Sequence, residues 1–333
     1  MAKAYGDADG LASFEQYLAA FLKRQSNASA VHLQLEQHFC LGVNATAGRA
    51  KRLRPRLVMA AAMSLGASAQ SVLAACTAIE LLHNYSLIHD DIEDGDRLRH
   101  GRETLWSRFG LAHGVNAGDA VGALAQIALK PAASDFGSDT AFAMNVDLAT
   151  ANVKMCEGQA VDIELEGAAS DQVNLPLYLE MIASKTAALF ACAASLGARC
   201  AGADEHSRQR CSDIGQLYGL GFQISDDIAG CWGSRDETGK SPGGDIARRK
   251  KTFPIVWVME RGSPRAAAIV ARAYDPAAGP LSGPAAQQVL KTLERAGARD
   301  AAELAAAEYF KEASARAQGL GPLALYVQER TEP

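Results

Sequence analysis

The chain has 333 residues, 48% hydrophobic and 21% charged, with a formal net charge of -5. That balance belongs to a folded chain with a sizeable core and speaks against a basic nucleic-acid binder. No run of about 18 apolar residues suggests a membrane span, and the N-terminal "MAKAYGDADG" lacks the apolar core of a secretory leader. A cytoplasmic protein without stable membrane insertion is therefore expected, with no nucleic acid among its partners.

Apolar residues recur at helical spacing in "LVMAAAMSLG", "SVLAACTAIELLHNYSLIHDD", "LYLEMIASKTAALFACAASLG", "CSDIGQLYGLGFQISDDI" and "AAELAAAEYFKEASARAQG". Long alternating β-branched runs are missing. Loops are expected at about 95–104, 131–139, 232–252 and 275–285, where prolines and glycines cluster. No break in composition separates two cores, so the expectation is all-α: a single large helical bundle, one domain over 1–333, with its site in a central cavity between facing helices. The seven cysteines are scattered and include no C-x-x-C pair, which reads as reduced core thiols.

Two acidic clusters interrupt this apolar pattern. Asp90 and Asp94 lie one helical turn apart, with Asp91 about 100° round from Asp90. The preceding "TAIELLHNYSLIH" is apolar enough for a core helix. Carboxylates at the mouth of a buried helix need a counter-charge, and Mg²⁺ suits them because it takes oxygen ligands and keeps waters and substrate phosphates. Asp226 and Asp227 close a second apolar helix in the same way. Separate basic segments accompany them: "AKRLRPR", "RLRH" and "GKSPGGDIARRKKT". Carboxylates that can hold a metal, together with several basic segments, describe a site for a phosphorylated polyanion.

The ordered set "KRLRP", "ELLHNYSLIHDDIED", "RHGRETLW", "NAGD", "EGQAVDI", "SKTAALF", "GFQISDDI", "GKSPGGDI" and "KKTFP" resembles the trans-isoprenyl diphosphate synthases, or polyprenyl synthetases. The resemblance implies the isoprenoid synthase fold and two substrates, isopentenyl diphosphate and an allylic diphosphate. It also implies three Mg²⁺ ions with bound diphosphate, and a homodimer. In such enzymes the allylic C–O bond ionises, the double bond of isopentenyl diphosphate attacks the cation, and a proton is lost.

Position by position, the resemblance assigns Asp90, Asp91 and Asp94 to the first metal motif and Asp226 and Asp227 to the second. Metal ligation falls to Asp90, Asp91, Asp94 and Asp226. Arg99, Lys185, Lys240 and Lys251 match the cations around the allylic diphosphate, with Thr186 and Gln223 close by. Lys51, Arg54 and His83, with His100, match the isopentenyl diphosphate site. Gln159 and Asp162 match a helical motif facing the cavity.

Three positions depart from the pattern. Gly230 replaces the third Asp of D-D-x-x-D, leaving water to complete the metal shell. His100 stands where a second Arg is usual, and histidine is only partly charged near neutral pH. Ala50 replaces a glycine.

Chain length in this family is set below the first acidic motif. Ser86 lies one turn below Asp90 and Leu82 two turns below, while Tyr85 is an aromatic five residues before it. The pattern is similar to archaeal geranylgeranyl diphosphate synthases and implies a C20 product, with C15 and C25 as neighbours. A class I terpene cyclase on the same fold is the alternative. "DDIAGCWGS" is not the second motif such cyclases carry, and Lys51, Arg54 and His83 would have no purpose there. A non-catalytic partner subunit would be expected to lose the first acidic motif or several lysines, and this chain keeps them.

Overall fold

The computed structural model describes residues 7–25, 29–40, 51–99, 101–233, 244–278 and 281–329. His100 and Lys240 lie outside the described residues, as does Ala50. The chain forms two compact units. One comprises Met1–Asn152, Leu189–Gly215 and Arg316–Glu329; the other comprises Val153–Ala188, Gln216–Ala315 and Arg330–Pro333.

In the first unit the central element is α4 (Leu73–Glu93), numbered after α1 (Asp7–Arg24), α2 (Ala30–His38) and α3 (Leu53–Ser64). Its face of Leu73, Cys76, Ile79, Leu81, Leu82 and Ile88 is buried. Gly95 ends α4 at φ 66, a left-handed conformation in which a side chain is strained. The Asp96 N–H then donates to the Asp91 carbonyl at 2.9 Å and the Gly95 N–H to the Ile92 carbonyl at 3.2 Å.

The expected loop that follows is a short hairpin, β1 (Leu98–Arg99) paired antiparallel with β2 (Arg102–Glu103). After α5 (Leu105–Phe109) comes α6 (Leu111–Ala128), the main packing partner of α4. Its glycines form a groove. A Cβ at Gly114 would meet Trp106 at 2.8 Å, one at Gly118 would meet His89 at 2.3 Å, and one at Gly122 would meet Tyr85 at 3.1 Å. Glycine at four-residue spacing thus admits Trp106 of α5 and the His89 and Tyr85 rings of α4.

The expectation of a loop over 131–139 is corrected. Residues Ala132–Phe136 form the short helix α7, and α8 (Ser138–Gly167) starts directly after Gly137. Proline also marks helix starts rather than gaps at Pro176, Pro254, Pro264, Pro284 and Pro322, each in a first turn. A first-turn N–H has no intrahelical acceptor to lose, so proline fits there. Within 275–285, the described residues form a 3₁₀ turn at Pro276–Ala278 and, from Gly283, a helix reaching Ala296.

The second unit holds α9 (Leu175–Ile182), which runs into a π-helical turn, Ala183–Ala187, before α10 (Ala188–Cys200). The helix α11 (Glu205–Trp232) carries the second acidic motif, and Gly244–Ala247 forms a further short helix. Cys231, Ile246, Ile255, Val258, Val270, Tyr274 and Leu293 form an apolar cluster here. Two stretches, Ala69–Glu93 and Leu175–Cys200, are long and apolar enough to cross a membrane, but the most apolar 18 residues of each are mostly buried, which marks them as core helices.

Candidate active site

The first acidic motif occupies the last turn of α4. Carboxylates are disfavoured at a helix C-terminus, where unsatisfied carbonyls already carry negative partial charge. Here Asp90, Asp91 and Glu93 crowd that turn and Asp94 caps it. Asp91 is 3% exposed. Its Oδ1 accepts from Arg99 Nε at 2.7 Å. Burial nevertheless pushes its carboxyl up to about 6, against the pull of Arg99 and with Asp96 and Asp90 adding to the rise. Asp90 and Asp94 are half-buried.

A cationic cluster lies in the same unit. Burial lowers His83 well below its ordinary range, and Arg54, Arg99, Arg52 and His38 push the same way. His38, on α2, bonds through Nε2 to Asn84 Oδ1 at 2.9 Å, and burial takes it down to about 4. The structure separates the neighbours in "KRLR". Arg52 is tied to Glu15 at 2.8 Å and also pairs with Glu80. Arg54 lays its guanidinium over the Phe190 ring, 4.3 Å from the centroid, and Lys51 is exposed. Leu82 is buried in the core, and Ser86 donates its hydroxyl to the His83 carbonyl at 2.8 Å. Tyr85 packs against His89, the rings tilted with centroids 4.7 Å apart.

In the second unit the acidic pair divides. Asp226 is exposed and Asp227 is 5% exposed. Asp227 Oδ2 accepts from Tyr178 OH at 2.6 Å and from the Phe253 N–H at 2.8 Å, and Oδ1 accepts from Gln223 Nε2 at 2.9 Å. Gln223 in turn accepts from the Thr186 hydroxyl at 2.6 Å. Burial raises the Asp227 carboxyl to about 7 despite these three donors.

Lys185 and Thr186 sit on the π turn, where the backbone bulges. Lys185 pairs with Asp162 of α8. Gly158 permits that approach, since a Cβ there would stand 2.2 Å from the Lys185 nitrogen. Gln159, on the same helix, is half-buried.

Lys251 does something the sequence reading did not anticipate. Its ammonium donates to the carbonyls of Leu165, Glu166 and Ala168 and caps the end of α8. Its neighbour Lys250 is less buried. Sequence reasoning also missed Tyr178, which lies 49 residues from Asp227 and carries no local signal.

The donor set fits Mg²⁺. It consists of hard carboxylate oxygens: those of Asp90, Asp91 and Asp94 at the C-terminal end of α4, where a cation offsets both the side chains and the carbonyl ends, and that of the exposed Asp226 on α11. Among the described residues no three His, Cys, Asp or Glu side chains converge as a ready-made cage. That suits an ion that keeps its waters and shares its shell with substrate phosphates.

Residues 41–290 match the polyprenyl synthetase family. This is well over half of the chain, which therefore belongs to that family. Among curated relatives, a geranylgeranyl diphosphate synthase of Mycobacterium tuberculosis H37Rv is 38% identical over 68% of this chain and 64% of its own length. A (2E,6E)-farnesyl diphosphate synthase of the same strain is 38% identical over 66% of this chain and 59% of its own. The chain thus spans less than two thirds of either relative. A solved polyprenyl synthase from Caulobacter crescentus, complexed with calcium and isoprenyl diphosphate, is 27% identical with a TM-score of 0.81, covering 96% of this chain and 94% of its own. The all-α isoprenoid synthase architecture is shared.

Proposed function

We propose that this chain is a Mg²⁺-dependent prenyltransferase. It joins isopentenyl diphosphate to an allylic diphosphate and releases an all-trans polyprenyl diphosphate, C20 geranylgeranyl diphosphate in the main. The observation that carries the reading is the cluster of Asp90, Asp91 and Asp94 at the C-terminal end of α4, with the buried Asp91 bonded to Arg99. Asp90, Asp91, Asp94 and Asp226 would hold the metal, which when bound neutralises charge on the departing diphosphate.

The chain's own groups do the rest. Lys185 and Arg99 present positive charge to the allylic diphosphate, and the loss of the C–O bond leaves the electron pair on that group. Asp227, held by Tyr178, Gln223 and the Phe253 N–H, keeps the second motif in place. Lys51, Arg54 and His83 hold isopentenyl diphosphate. A neutral His83 among guanidiniums donates a hydrogen bond without adding charge. The double bond of isopentenyl diphosphate then forms the new C–C bond and a proton leaves. Tyr85, Ser86 and Leu82 bound the growing chain.

A homodimer is part of this reading. Leu111 and Val115 on α6, and Phe142 and Val146 on α8, are exposed apolar pairs at four-residue spacing, which a second copy could cover. Seven free cysteines accord with a reducing cytoplasm.

The test is a product assay with Mg²⁺, isopentenyl diphosphate and, separately, C5, C10 and C15 allylic diphosphates. A dominant C20 alcohol after dephosphorylation is expected. Elongation to another length would keep the reaction and correct the roles of Tyr85 and Ser86. A hydrocarbon from an allylic diphosphate supplied alone would replace this reading with a cyclase.

A further inference from the structure

Four cations, Lys51, Arg52, Arg54 and Arg56, stand within six residues at the start of α3, and the first turn of that helix carries no acidic side chain. Cations are disfavoured at a helix N-terminus, where unsatisfied N–H groups already carry positive partial charge. The structure treats the four differently. Lys51 is exposed, Arg54 covers Phe190, and Arg56 pairs with Glu329 at 2.8 Å. Arg52 is held from several sides. Its Nε and Nη2 donate to the two oxygens of Glu15 on α1 at 2.8 and 3.2 Å, and its Nη1 donates to Glu80 Oε1 on α4 at 2.5 Å. The Phe14 ring lies 5.9 Å from the guanidinium. Glu80 is buried, and Asn84 donates to the same Oε1 at 3.1 Å while its own Oδ1 takes a hydrogen bond from His38 of α2 at 2.9 Å.

Arg52 is also the N-cap of α3, at φ 49 and ψ 40. An N-cap residue ordinarily takes extended backbone and bonds the helix with its side chain. Arg52 does neither, since its backbone is left-handed and its side chain makes no cap bond. A residue with a Cβ is strained there, and such strain persists only where the surroundings over-determine it. Here α1 and α4 supply the constraint directly, and α2 supports it through His38 and Asn84. The strained residue stands between Lys51 and Leu53, so its backbone angles set how Lys51 leaves the helix that carries Arg54. Glu15 and His38 both precede residue 41, where the match to the polyprenyl synthetase family begins.

We propose that Arg52 is a positioning residue for isopentenyl diphosphate: Glu15 and Glu80 clamp its guanidinium, the clamp holds a left-handed turn, and the turn fixes Lys51 relative to Arg54. The N-terminal helices, outside the family match, thereby take part in the site. The inference rests on the reading that Lys51 and Arg54 hold isopentenyl diphosphate. Arg52 itself does not meet the diphosphate, because two carboxylates already match its charge and occupy Nε, Nη1 and Nη2.

The experiment measures kcat and the KM of each substrate separately, with melting temperature as the check on folding. Arg52→Ala and Arg52→Gly are each combined with Glu80→Gln, so that no buried carboxylate is left without its partner. The alanine form should raise the KM for isopentenyl diphosphate about tenfold, through misplacement of Lys51, and the allylic KM by less than about twofold. The glycine form should recover about threefold of that loss, because glycine adopts the left-handed turn without a clamp. Glu15 is half-buried, so Glu15→Gln tests the clamp without emptying the core. It should raise the isopentenyl diphosphate KM about threefold, whereas an Arg52 that met the substrate would be released by this change and lower that KM. A lower or unchanged KM in Glu15→Gln, a glycine form no better than the alanine form, or equal rises for both substrates overturns the proposal. Lys51→Ala separates the two levels. If it raises the isopentenyl diphosphate KM and the alanine form of Arg52 does not, only this inference fails; if neither raises it, the reading of the isopentenyl diphosphate site falls as well.

Discussion

Replacing Asp227 by asparagine keeps the shape of a buried side chain and removes its charge. An asparagine oxygen turned toward Tyr178 and Phe253 would keep both of their hydrogen bonds, now 2.6 and 2.8 Å. Its amide would then face the Gln223 amide, donor against donor. Gln223 can turn over, because its other partner Thr186 is a hydroxyl that accepts as readily as it donates. The relay inverts without losing a bond. In the parent, burial raises the Asp227 carboxyl to about 7, whereas an unfolded aspartate titrates near 3.9. A shift of about three units corresponds to roughly 4 kcal/mol. The folded chain holds the proton more tightly, so this stability is complete below about pH 4 and is lost as pH rises through 7. Asparagine has no such dependence. In chelator, Asp227→Asn should be the more stable protein at pH 8, by roughly 4 kcal/mol, and the difference should narrow to roughly 1.5 kcal/mol at pH 5. At about 2–4 °C per kcal/mol the melting temperature should rise by about 8–16 °C. With Mg²⁺ and substrates, turnover should fall at least about a hundredfold, the scale of losing one preorganised charge-stabilising group. Thermal denaturation from pH 5 to 8 without metal is the assay. A variant less stable than the parent at pH 8, or a gap that ignores pH, refutes the reasoning.

Gly122→Ala would place a Cβ 3.1 Å from Tyr85 Cδ2, so the ring must give way by a few tenths of an ångström. Product should shift by one isoprene unit toward shorter chains with stability changed by less than about 1 kcal/mol; an unchanged product profile would remove Tyr85 from length control. Lys251→Met strips the carbonyls at the end of α8 of their ammonium and should reduce stability by about 1.5–3 kcal/mol in urea denaturation. Its KM for the allylic diphosphate should move less than that of Lys250→Met, and the reverse order would restore Lys251 as the substrate cation. His38 is held down to about 4, chiefly by burial, with Arg99, Arg102 and Arg52 pushing the same way against Asn84. Its contribution is therefore complete above pH 6.5 and lost as pH falls toward 4, on the order of 2 kcal/mol. His38→Gln should flatten the acid limb of a stability–pH curve, and an unaltered limb would count against a buried neutral imidazole.

Much of this molecule was readable along the chain because the relevant signals are local. Apolar spacing located α3, α4, α10 and α11, since a helix that buries one face must repeat its apolar residues every three or four positions. The acidic motifs were legible because carboxylates at the end of an apolar helix contradict their surroundings. Proline misled over 131–139 and at several helix starts, since one residue type both ends a helix and begins the next. The π turn under Lys185 left no trace in sequence, because an extra residue in a helical turn is held by its packing, here against Gly158.

By itself the sequence determined an all-helical chain, two carboxylate clusters, the cationic segments that answer them, and through its ordered motifs the polyprenyl synthetase family. Only the tertiary structure decided which of two adjacent, chemically similar residues does what. It ties Arg52 to glutamates while Arg54 covers Phe190, turns Lys251 into a helix cap, and buries Asp227 under Tyr178 while Asp226 stays exposed. The physical reason is common to all of these. Residue type and spacing set what chemistry a side chain can perform, but its task depends on which neighbours, tens of residues away in sequence, satisfy its charge and hydrogen bonds once water has been removed.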